Sequence, residues 1–134
     1  MKTQKGQSLL EFALVIPVLL FVVMAVIAFS ELGYSWMEAN KSAHAAAHAA
    51  AIHIVDGSEK SCYLRAMEAK GSPAFIGVEN STFSISPCNS DSEWVPPSGE
   101  RVLAIWQFNF SPMLPFIYGN FNIPVTVRAT DWFR

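Results

Sequence analysis

Hydrophobic and polar positions along this chain change their rhythm three times. Residues 12–29, FALVIPVLLFVVMAVIAF, hold no charge and no polar face, and Leu9 and Leu10 extend the run towards the N terminus. Eighteen helical residues rise roughly 27 Å, close to the thickness of a bilayer's hydrocarbon core. A helix satisfies all backbone groups within one segment, so the run predicts a membrane helix rather than a core helix, which would need a polar side. Pro17 removes one donor inside it and leaves the Ala13 carbonyl without its usual partner, which makes this region a candidate bend.

From residue 30 to about 55 the pattern stays helical but turns small and mixed. ANKSAHAAAHAAAIHIV is rich in alanine, the best helix former, and Asp56-Gly57 supplies a stop. One long helix over about 7–55 follows, its second half suited to packing on a neighbouring helix or a small sheet. Residues 59–70 predict a short second helix with Tyr63, Ala66 and Met67 on one face, ended by Gly71-Ser72-Pro73.

The rhythm then shifts to a period of two. Residues 81–86 place Phe83 and Ile85 on one face. Residues 101–110 place Val102, Ala104, Trp106, Phe108 and Phe110 together, and residues 123–133 set Val125, Val127 and Ala129 against Thr126, Arg128 and Thr130. The expected class is α+β: a long N-terminal helix, half membrane and half exposed, packed on a small three-stranded antiparallel sheet with a short second helix. The expected division is a leader over 1–6, a membrane and spine helix over 7–55, and an extracytoplasmic domain over 56–134.

Charge orients the span. Lys2 and Lys5 precede it, while Glu31 and Glu38 follow. Positive charge stays cytoplasmic, so the C-terminal domain belongs outside, periplasmic for an inner-membrane protein. A cleaved signal peptide would need a small-residue site after a shorter apolar core, and Ala28-Phe29-Ser30 is a poor one. On the outer side, Cys62 and Cys88 can pair, closing a loop of roughly 25 residues worth about 3 to 3.5 kcal/mol, or remain two buried thiols. The formal net charge of −2 and the lack of a basic patch argue against nucleic acid as a partner.

Glu11 stands at the edge of the apolar run. A carboxylate in hydrocarbon must be paired or neutralised, or else sit among headgroups in contact with water. The residues around it, KGQSLLEF, resemble the type IV prepilin motif: a basic leader, Gly6, four residues, Glu11, the aromatic Phe12, then the apolar helix. GQSLLEFALVIPVLL is similar to the TadE-like branch, the minor pseudopilins of the tight-adherence (Tad/Flp) pilus system. Gly6, Gln7, Glu11, Phe12, Ala13, Leu14 and Pro17 fit that pattern. The resemblance is strong from Lys5 to about Tyr34 and weak beyond, although the strand, proline loop and last strand near the C terminus resemble the family's layout.

The resemblance implies cleavage by a prepilin peptidase between Gly6 and Gln7. Loss of Lys2 and Lys5 would take the net charge from −2 to −4. It also implies that Glu11 pairs with the new α-amine of Gln7 in a neighbouring pilin or pseudopilin subunit. A membrane-anchored binding domain of adhesin type is the alternative, with the loop residues Met113, Phe116 and Tyr118 as contact surface. The same apolar loop could instead plug the core.

Other chemistry is sparse. His44 and His48 are four apart and share a helix face, where two imidazoles can hold a metal. His53 lies about 140° around from His48. No acid stands at a matching offset and HExxH is absent, so no metal is expected and the histidines read as polar groups facing the domain or solvent. Neither GxSxG, SxxK nor a phosphate-binding glycine loop occurs, and Asp91 and Glu93 read as solvated loop acids. No cofactor and no enzymatic activity are expected.

Overall fold

A computed structural model describes residues 4–52, 61–88, 99–112 and 122–132, with side chains from Leu9 onward. Helix α1 (Gln4–Ala51) has 48 residues and is about 72 Å long. It runs through Pro17 and ends at Ala51, four residues short of the expected limit; 53–60 lie outside the described residues. Helix α2 (Cys62–Lys70) begins with Ser61 as N-cap, whose hydroxyl accepts from the Leu64 N–H. It ends where Gly71, at φ +60°, donates its N–H to the Glu68 carbonyl.

Strands β1 (Val78–Ser86), β2 (Arg101–Phe110) and β3 (Ile123–Trp132) form an antiparallel sheet in the order β1-β2-β3. The α+β class read from the sequence is therefore the class of the fold. β1 starts three residues earlier than its alternation indicates. Its register against β2 shifts between Glu79 and Thr82, where Asn80 adopts φ +52°, and this bulge hides the first part of the strand from a period-two search.

The core joins a stripe of small residues to a sheet of large ones. Ser35, Ala39, Ser42, Ala43, Ala46, Ala47 and Ala50 recur at helical spacing along α1, and all are buried. Opposite them stand Val102, Ala104, Trp106, Phe108 and Phe110 of β2, with Val127 and Ala129 of β3. Alanine brings the helix backbone close, and the sheet's aromatic rings fill the space that larger helix side chains would take. Phe75 stacks on Phe108 and meets Trp106 edge-on, while Phe83 tilts against Trp106 from β1.

Three polar joins lock the layers. The Ser35 hydroxyl donates to the Ile76 carbonyl at 2.8 Å and accepts from the Ile76 N–H at 3.0 Å. One turn pair further along, Ser42 Oγ donates to the Lys70 carbonyl at 2.6 Å and accepts from Trp106 Nε1 at 3.1 Å. Arg65 Nη1 donates to the Ile52 carbonyl at 2.7 Å, tying α2 to the end of α1. Cys62 and Cys88 are bonded, with Cα atoms 5.8 Å apart, so the start of α2 is pinned to the chain just past β1.

Candidate functional site

The first half of α1 buries nothing. Leu9 is 71% exposed, Phe12 66% and Phe29 75%, and the large apolar side chains between them are exposed as well, apart from the half-buried Met24. Glu11 is the one acid in residues 9–30, and it too is exposed. The polar Ser30 turns its hydroxyl back onto the Val26 carbonyl at 2.8 Å, so the helix satisfies it internally. A continuous apolar surface of this length cannot be left to water, and the helix is long and apolar enough to cross a bilayer, making it a candidate membrane anchor.

Gly6 and Gln7 lie in the first turns of α1, where the backbone is described but the side chains are not. Glu11 and Phe12 follow on the same helix, and Pro17 stands six residues beyond Glu11. Gly6, Gln7, Glu11, Phe12 and Pro17 thus share one continuous helix. Met113, Phe116 and Tyr118, the expected contact loop, lie outside the described residues, as do His53, Asp91 and Glu93.

Where α1 leaves its bare half, the end of the sheet meets it. Phe21, Ala25, Ala28, Phe29 and Leu32 line one side of a cavity of about 350 Å³, and Phe110, Pro112 and Ile123 line the other. Phe110 and Ile123 are register partners at the adjoining ends of β2 and β3. This hollow is not legible in the sequence. Its only signal was the helical spacing of residues 21, 25, 28, 29 and 32, which the unbroken hydrophobicity of the run conceals.

The histidines turn out differently from a metal pair. His44 and His48 are both exposed, and His48 Nδ1 lies 2.8 Å from Asp131 Oδ2 of β3. An acid 83 positions away thus partners the imidazole that had none at helical offsets. Among the described residues no three His, Cys, Asp or Glu side chains gather as a metal site. At the same far end of the sheet the Arg101 guanidinium stacks over the Trp132 ring at 4.8 Å.

No curated protein and no solved structure matches the chain. A family model described as TadE-like protein matches residues 6–48, which cover the apolar run, Glu11 and most of the alanine stripe. That segment, about a third of the chain, is similar to TadE-like proteins.

Proposed function

We propose that this chain is a minor pseudopilin, a single-pass inner-membrane subunit that takes part in assembling a Tad-type pilus. The observation that carries the reading is an exposed apolar run, residues 9–30 of α1, bearing one carboxylate, Glu11, five residues after Gly6, within the segment matched to TadE-like proteins. Lys2 and Lys5 hold the N terminus on the cytoplasmic side and the sheet domain faces the periplasm. A prepilin peptidase cuts between Gly6 and Gln7. The freed α-amine of Gln7 in one subunit then meets Glu11 of another.

The electrostatics supply the specificity. In an apolar bundle of helices a lone carboxylate or a lone ammonium is costly, and removing either partner strands the other. Register between neighbouring helices is then set by the one position where both charges are paired. The role is structural, with pilin or pseudopilin subunits and the peptidase as partners.

Glu11→Ala tests this directly. The variant is expected to insert into the membrane and to be cut after Gly6, as read by mass spectrometry of its N terminus, yet to be lost from sheared pili. Incorporation at the wild-type level would overturn the pairing mechanism. A mature protein that still carries Met1 would overturn the processing step.

A further inference from the structure

We propose that the hollow between α1 and the near end of the sheet seats an acyl chain of an outer-leaflet phospholipid, so that the domain is sunk into the membrane rather than held above it. The inference rests on the reading of α1 as a membrane span. Counted from Leu9, about 30 Å of helix ends near Phe29. Phe21, Ala25 and Ala28 therefore lie within the outer half of the hydrocarbon, with Phe29 and Leu32 at its boundary. Phe110, Pro112 and Ile123 face those same residues across the hollow. The sheet end must then lie at the same depth.

The chemistry of the lining agrees. The eight described lining residues are all apolar, so a water molecule would find no side-chain partner among them, whereas a hydrocarbon chain gains dispersion contacts with each. The sheet is also polarised along its strands. Along the β2–β3 pair the near end carries Phe110 and Ile123, while Arg101, Asp131 and the His48 contact lie at the far end; Glu79 of the edge strand β1, opposite Asn109, is the charge at the near end. Glu31, between Phe29 and Leu32, is the first charged residue along α1 after Glu11.

The test uses the full chain in phosphatidylethanolamine–phosphatidylglycerol vesicles doped with a phospholipid carrying a diazirine in its acyl chain. After irradiation, adducts are mapped by mass spectrometry. Adducts are expected on residues 14–20 and also on Phe110, Pro112 and Ile123, and not on Thr82 or Gln107 of the outward sheet face. Ala28→Phe fills the hollow with protein and is expected to lose the sheet-end adducts while keeping those on 14–20. Labelling of 14–20 with a bare sheet end overturns the lipid seat and leaves the membrane span standing, as would be seen if another part of the chain or a second copy covered the hollow. Sheet-end labelling that survives Ala28→Phe overturns the seat as well. Failure to label 14–20 removes the span itself, and the inference with it.

Discussion

Replacing Ser42 with alanine removes a hydroxyl that links α1, α2 and the sheet. Ser42 is 7% exposed and Trp106 4% exposed, so neither group left behind can turn freely to water. The indole N–H loses its acceptor at 3.1 Å and the Lys70 carbonyl loses its donor at 2.6 Å. An orphaned buried donor costs about 1–3 kcal/mol, and the carbonyl of the half-buried Lys70 adds about 1 kcal/mol. Alanine's better helix propensity returns about 0.5 kcal/mol. The net loss works out at about 2.5 kcal/mol, a large share of the stability of a small domain.

The mechanism is separated from mere packing by a double-mutant cycle with Trp106→Phe. Without the indole N–H, Ser42→Ala strands only the carbonyl, so its cost should fall to about 0.5–1 kcal/mol. The assay is urea unfolding of the full chain in detergent micelles, followed by the fluorescence of the remaining tryptophans, with the slope checked for constancy. Equal costs of Ser42→Ala in both backgrounds, or a loss below about 0.5 kcal/mol in the wild type, would refute the reasoning.

Three further perturbations have distinct expectations. Cys62→Ser with Cys88→Ser opens a loop of 26 residues and should cost about 3.5 kcal/mol in the chain-entropy account, read as a lower urea midpoint that matches reduced wild type. Gly77 sits at φ +64° with its would-be Cβ 2.6 Å from the Ser111 carbonyl oxygen; Gly77→Ala should therefore lose about 2–3 kcal/mol, and a neutral result would show that this backbone yields easily. Ala43, fully buried in the helix–sheet seam, has no room for a longer side chain, so Ala43→Leu should lower the thermal midpoint by an amount equivalent to about 1–3 kcal/mol.

The β2 pattern shows why some of the fold was legible. Every position assigned to its inward face, from Val102 to Phe110, is buried, because a strand alternates strictly and its core side must be apolar. β3 follows the same rule at Val127 and Ala129. The start of β1 escaped because the bulge at Asn80 breaks that alternation. Ser35 and Ser42 escaped for another reason. A serine in an alanine stripe satisfies itself with whichever backbone or indole group arrives, here from residues 41, 28 and 64 positions away, and local spacing says nothing of such arrivals. Asp131 partners His48 by the same kind of long-range meeting.

The sequence by itself determined where the helix is bare and where it is small, the identity of the acid at its edge, and the faces of the strands. Each follows from local periodicity and from the cost of placing a charge in hydrocarbon. Only the tertiary structure decided which strand lies centrally, which serines bolt the helix to the sheet, and that the Phe110–Ile123 end of the β2–β3 pair rests against residues 21–32 of α1. These depend on how separate segments come together, and a hydroxyl or an alanine encodes no partner until they do.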